Sequence, residues 1–225
     1  MPAFFILVPI AVAVVGLLIW WFSDKRKIKR ALRNAERVAI ADYPHGGLKR
    51  IVGRLSIEGN ALQAPLSGRW CAAYEVIVQE LRSSGKTSSW HTIATEVRTM
   101  RFVLTDATGR AFIDPNGAKL VITEDSHTRS GTFDDATPRE EAFLAAQGEK
   151  SEGWIFNRSL RYREGVLEPG EWVAVLGHGT VSYDDAPAPA PHAGGYRQQA
   201  GPKKLEIRAA GQVQLYISDD VSVLR

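Results

Sequence analysis

The sequence predicts a mostly β domain, a small barrel- or sandwich-like meander with one short helix, preceded by an N-terminal transmembrane helix. Three observations carry that expectation. Residues 3–22, AFFILVPIAVAVVGLLIWWF, contain no charged side chain. From Leu48 onward, alternating and β-branched runs are separated by turns of Gly, Pro, Asn and Asp. Within that region only TPREEAFLAAQG carries helix-start signals.

At ~1.5 Å per residue, a helix over 3–22 spans a hydrocarbon core of ~30 Å. Trp20 and Trp21 fall where an interfacial aromatic belt belongs. Only Met1 and Pro2 precede the run, so the basic n-region of a cleaved signal peptide is missing. The flank that follows, SDKRKIKRALR, is strongly basic. By the positive-inside rule the chain is expected to be a single-pass membrane protein with its C-terminal domain in the cytoplasm. Lys25, Arg26, Lys27, Lys29 and Arg30 are candidates for contact with anionic lipid headgroups, worth about 1 kcal/mol each near the surface.

Residues 23–43 are expected to form a basic juxtamembrane helix, with Ile28, Leu32, Ala35 and Ala39 as a narrow apolar stripe. Pro44, Gly46 and Gly47 end it. The β domain proper is expected over 48–183. Gly53 inside LKRIVGRLSI marks a bulge or a close approach. CAAYEVIVQEL alternates, with Ala72, Tyr74, Val76 and Val78 as the better buried face. WHTIATEVRTMRFVLTD can supply two strands. Asp106 to Gly109 predicts a turn whose glycine is left-handed, and Asp114-Pro115-Asn116-Gly117 predicts a second turn. Thr137, Pro138 and Glu140 form a capping box for the short helix, with Gly148 as its stop. Two strands flank EPGE, residues 168–171. Residues 184–204 predict a flexible Pro/Ala/Gly-rich loop, and 205–225 a hairpin around Ala210-Gly211 that completes the domain.

Charge and cysteine content limit the chemistry. The chain has 28 Lys plus Arg against 25 Asp plus Glu. Setting aside residues 24–33, six bases and one acid, leaves 22 bases and 24 acids. The β domain therefore lacks the basic excess of a nucleic-acid binder, and no nucleic-acid partner is expected. The single cysteine, Cys71, cannot form an internal disulfide or complete a Cys-rich zinc site. As a nucleophile it needs a depressed pKa, and His91, about one hairpin away, is the one candidate base near it in sequence. A small buried thiol at the start of a strand is the simpler reading. Ser67 in PLSGR lacks the strand-to-helix elbow of a serine nucleophile. GHGTVS, residues 177–182, opens no helix that could cradle a phosphate. His45, His91, His127, His178 and His192 share no metal-ligand spacing, so no metal, cofactor or catalytic residue is assigned. Trp70, Trp90, Trp154 and Trp172 pack in the core or, for one or two of them, face a protein partner.

Four blocks in order carry a resemblance to a known family: VGRLSI, LQAPLSGRWCAAYEVIV, MRFVLTDATGRAFIDPNGA and GVLEPGEWVAVLGHGTV. Together they resemble the GIDE-type domain of the GIDE/MULAN family of E3 ubiquitin ligases, also called the BAM (beside-a-membrane) domain. The resemblance implies that Pro65, Leu66, Ser67, Gly68, Cys71, Tyr74, Asp106, Gly109, Asp114, Pro115 and Gly117 are a fold signature and not a catalytic centre. In the eukaryotic relatives ubiquitin transfer is assigned to a C-terminal RING after a second membrane helix, and the domain faces the mitochondrial intermembrane space. This sequence has no second apolar run after Asp185 and no cysteine after Cys71, whereas a RING needs about eight Cys and His ligands. It looks like the RING-less prokaryotic members. The expectation is a membrane-anchored protein-interaction module with an unidentified protein partner. E3 ubiquitin transfer is the first alternative and an OB-like nucleic-acid binder the second.

Overall fold

The computed structural model describes residues 24–84, 87–130, 137–147, 159–183 and 203–225. The apolar segment 3–22 and nearly all of the loop 184–204 lie outside them, as do Gly148, Trp154 and His192. Among the described residues no helix is long and apolar enough to cross a membrane.

The elements in chain order are helix α1 (24–34), then strands β1 (Leu48–Ser56), β2 (Leu62–Gln63), β3 (Trp70–Cys71), β4 (Ala73–Ser84), β5 (Thr87–Thr99), β6 (Phe102–Thr105), β7 (Arg110–Ile113), β8 (Lys119–Val121) and β9 (Ser126–Ser130). Helix α2 (Pro138–Ala146), β10 (Leu160–Leu167), β11 (Trp172–Tyr183), β12 (Lys203–Arg208), β13 (Tyr216–Ser218) and helix α3 (Val221–Leu224) follow.

Five strands close a barrel in the order β1-β6-β7-β12-β11, with β11 returning to β1. The barrel is not a meander: β7 and β12 pair in parallel, Leu205 opposite Ala111, and β11 runs antiparallel to both β1 and β12. Such a five-stranded Greek-key barrel is the class to which OB-folds belong. Ile51, Leu104, Ile113, Val175, Leu205 and Ile207 fill its interior. Gly53 marks the corner where β1 leaves β11 for β6. A side chain there would put its Cβ 2.9 Å from the Thr105 carbonyl oxygen, so the glycine is a close approach.

A second, open sheet has the order β5-β4-β10-β9. It is inserted between barrel strands: β4 and β5 lie between β1 and β6 in the chain, and β9 and β10 between β7 and β11. Tyr74, Val76, Val78, Leu160, Tyr162 and Val166 form a core under α2, which contributes Phe143 and Leu144. The capping box of α2 is present as the sequence predicts, with Thr137 and Glu140 bonding reciprocally.

Four expectations are corrected. Helix α1 ends at residue 34 and does not reach 43. Residues 36–38 instead run beside β1, with Arg50 N donating to Glu36 O and Val38 N to Arg50 O. One further helix, α3, accompanies the expected stem helix and short helix α2. The expected C-terminal hairpin around Ala210-Gly211 is reduced to one antiparallel bridge, Ala210 to Val213. β12 and β13 both run antiparallel to β11 along one edge, joined by a turn at Ala210–Val213, because Ser218 and Tyr216 continue the register that Arg208 leaves. Gly109 is not left-handed. It is small because Ile40 Cγ2 would lie 3.2 Å from its Cβ.

The stem helix α1 lies on the outside of the barrel. Ile28 and Leu32 are buried with Val52, Ala174, Leu176 and Val223, so a third apolar cluster fastens α1 and α3 to β1 and β11.

Candidate functional site

The Pro65-Leu66-Ser67-Gly68 segment is a turn built around a carboxylate. Gly68 N donates to Ala64 O at 2.9 Å, and Gly68 has φ +74°, a conformation only glycine adopts cheaply. The turn aims two backbone N–H groups at Glu164 of β10. Leu66 N donates to Oε1 at 2.8 Å and Ser67 N to Oε2 at 2.9 Å. Glu164 is wholly buried, so those two bonds replace its hydration. Ser67 Oγ accepts from Arg69 N and Nε, and Arg69 reaches on to Glu168 at 3.0 Å and Asp125 at 3.3 Å. Ser67 thus organises Arg69 and faces no base.

Cys71 follows this turn and is fully buried between Ala64, Tyr74 and Val166. Burial pushes its thiol up to about 11, with Glu164 and Glu168 adding to the shift. Roughly one part in ten thousand would be thiolate at pH 7. His91 does not approach it. Ala73 pairs with Thr99, whereas His91 pairs with Glu80 at the far end of the hairpin and bonds Ser89. Eight strand residues separate Thr99 from His91, about 26 Å at ~3.3 Å each. Tyr74 donates to Glu96 at 2.6 Å; burial raises its hydroxyl and the Glu96 bond raises it further.

The remaining motif residues make turns. Asp106 accepts from Thr108 N, Gly109 N and Ile40 N at 2.7–2.9 Å, which ties the chain after α1 to the β6–β7 turn. Burial alone would raise its carboxyl, but bonds from Thr108, Ile40 and Gly109 outweigh it and hold it below the usual range. Asp114 accepts from Arg101 at 2.8 Å and from Asn116 N, and Ala118 N donates to Pro115 O. Gly117 is left-handed at φ +70°, as the second turn requires.

The basic stem divides into two sets. Lys25 pairs with Glu75 of β4 at 2.8 Å, Lys29 pairs with Asp220, and Lys27 lies 3.6 Å from Asp24. Arg26, Lys27 and Arg30 have exposed side chains, with Arg33 exposed one turn further on. Lys25 and Lys29 border a cavity of about 450 Å³ whose far wall is Val121 to Glu124. These lysines therefore lock the stem to the body, while Arg26, Lys27, Arg30 and Arg33 are exposed.

Exposed aromatic side chains lie both on the barrel and beside the Glu164 turn. Trp172 is 45 % exposed with the Arg54 guanidinium 5.3 Å from its ring, and Trp70 is 60 % exposed beside the Glu164 turn. Phe112 lies under Lys204 in a groove of about 260 Å³ whose charged lining is Arg101, Lys204, Asp114, Glu58 and Glu206. Trp90, by contrast, is half-buried under Arg161. Among the described residues no group of three or more His, Cys, Asp or Glu is arranged to hold a metal ion.

Sequence reasoning missed Glu164, Glu75 and Tyr43. Each acid sits in an alternating run and reads as solvent-facing. Tyr43 reads as part of a helix end, yet its hydroxyl donates to Gly177 O at 2.6 Å and its ring occupies the space a Cβ on Gly179 would need. That ring explains Gly179, and a Cβ on Gly177 would lie 2.5 Å from Leu215 Cδ1, so both glycines of GHG answer to packing.

A closed barrel, an inserted open sheet and a motif spent on turns and a buried thiol define a β module in which the signature residues build the fold. The family model of GIDE, described as E3 ubiquitin ligase, matches residues 74–188, just over half of the 225 residues, and the chain belongs to that family. The match begins at Tyr74, so the Pro65–Cys71 turn lies upstream of it. No curated protein and no solved structure is significantly similar to the chain.

Proposed function

We propose that this GIDE-family chain is a single-pass, membrane-anchored protein-interaction module that performs no transfer chemistry with its own residues. One observation carries the reading: the chain's sole thiol is buried, raised to about 11 and remote from His91, and every motif residue around it is occupied in a turn or a core. The anchor is the uncharged segment 3–22, and the basic flank favours a cytoplasmic domain. Arg26, Lys27 and Arg30, whose side chains are exposed, are the bases best placed for anionic headgroups, whereas Lys25 and Lys29 are part-buried against the fold. The exposed Trp172–Arg54 pair and Trp70 are the surface offered to a protein partner.

The family's description favours a second reading, ubiquitin transfer to protein substrates. A nucleic-acid role has only the barrel class and its Phe112 groove in its favour, with acids interleaved among the bases. Two measurements on the full chain decide. Alkaline carbonate extraction should leave it in the membrane pellet. With ubiquitin, activating and conjugating enzymes supplied, wild type and Cys71→Ala should both give background transfer. Release into the supernatant would remove the anchor, and robust transfer by wild type would replace the first reading with the second.

A further inference from the structure

The closed barrel has no strand edge, but the inserted sheet ends in β5, a strand of 13 residues whose only strand neighbour among the described residues is β4. Long open edges are normally blunted by proline, lysine or short length. β5 reads TSSWHTIATEVRT, with no proline and no lysine. Its one irregularity is a bulge at Ile93, where Val78 pairs with Ala94 and Gln79 with Thr92. Residues 94–99 beyond the bulge form a regular ladder on which Thr95, Val97 and Arg98 are exposed, Val97 at 46 %.

We propose that this edge pairs antiparallel with the same edge of a second copy of the chain, centred on Val97, joining two four-stranded sheets into one. The register follows from charge. Centred on Val97, Glu96 lies opposite the second copy's Arg98 and Arg98 opposite its Glu96, with Thr95 opposite Thr99. Centring on Glu96 or on Arg98 sets like charges directly against each other, which disfavours those registers. Glu96 is already held in place by Tyr74 at 2.6 Å, Gln147 at 2.6 Å and Arg98 of its own strand at 2.7 Å, so the two charges meet the second copy as a preorganised pair that the pairing extends to four.

Geometry supplies a second argument. Val97 pairs with Glu75, and Glu75 holds Lys25 at the start of α1, whereas α2 covers the opposite face. A two-fold axis perpendicular to a continuous sheet keeps each face pointing the same way in both copies. Both stems then leave from one side, as two chains inserted in one bilayer must. The pairing itself does not depend on the anchor.

The test uses the full chain extracted in detergent, with its mass read by light scattering after subtracting the micelle. Wild type should have twice the mass of the 24.8 kDa chain. Val97→Lys should halve that mass while leaving the melting curve nearly unchanged, because Val97 fills no core. Val97→Cys should form a covalent dimer on mild oxidation and Ser89→Cys, on the same strand outside the ladder, should not; the buried Cys71 stays silent. Wild type at single-chain mass, or a dimer that persists in Val97→Lys without a Val97→Cys cross-link, overturns the proposal. So does a monomer that captures an extended segment of another protein at this edge. Carbonate extraction fails or succeeds independently of these readouts.

Discussion

The barrel and the inserted sheet bury similar aliphatic side chains but manage their edges differently. The barrel pairs every strand on both sides and closes through the parallel β7–β12 ladder. The sheet stays open at β5, and its order depends on groups brought to it from elsewhere: the Glu164 turn and α2 on one face, Lys25 on the other. Closure makes a body that needs nothing outside itself, whereas an open sheet needs clamps and leaves backbone for a partner.

The largest expected effect tests the barrel half of that contrast. Leu104 is fully buried in the barrel core between β1 and β7. Leu104→Ala should cost about 3 kcal/mol from lost burial and the cavity left behind. Because the barrel is closed, the loss should appear as one lowered denaturation midpoint for the whole chain. Separate transitions for barrel and sheet, by tryptophan fluorescence and circular dichroism, would show that the two do not support each other.

A smaller effect should be confined to the sheet. Glu164→Gln keeps the shape but points an amide N–H₂ at one of the two N–H donors of Leu66 and Ser67. Leaving one buried donor unsatisfied should cost about 2 kcal/mol. Amide exchange should rise at residues 66–67 and in β10 while residues 104 and 207 stay protected. Uniform exchange across both regions would mean the turn is a barrel element after all.

That clamp also shows where sequence reading stops. The local signals translate directly: the Thr137–Glu140 capping box, the left-handed Gly68 and Gly117, and the strands around EPGE depend on residues within a few positions of one another. Glu164 does not. It lies in RYREGV, an alternating run, and its burial is set by a turn 98 residues earlier. Barrel closure is equally non-local, since nothing in KKLEIR says that it pairs with β7 as well as β11. Helix α1 is overextended from sequence because Ala35 and Ala39 continue the apolar stripe of Ile28 and Leu32, but the chain leaves the helix after residue 34 and Val38 and Ile40 pack against the barrel core. The family motif was legible as a signature. Its purpose, holding a carboxylate on another strand, required the coordinates.

The smallest effect separates the stem's two attachments, Lys25 to the sheet and Lys29 to the barrel side. Asp220 receives Lys29 and caps α3 through Ser222 N. Burial alone would raise its carboxyl, but bonds from Lys29 and Ser222 lower it to about 2, from an ordinary value of 3.8. A depressed carboxyl stabilises the fold at pH above its unfolded value, and that contribution fades as pH falls from 3.8 towards about 2. Asp219 and Glu171 act in the opposite sense. Burial raises both, so their protonation on acidification removes a penalty present at neutral pH. Asp220→Asn should therefore lower stability at pH 7 by on the order of 1 kcal/mol, allowing for solvent screening of the pair. The variant's stability should also fall less steeply than wild type below pH 4, where only wild type has this pair to lose. Parallel acid curves for the two proteins would mean that Lys29 adds nothing and that the apolar contacts of Ile28 and Leu32 alone hold the stem to the barrel.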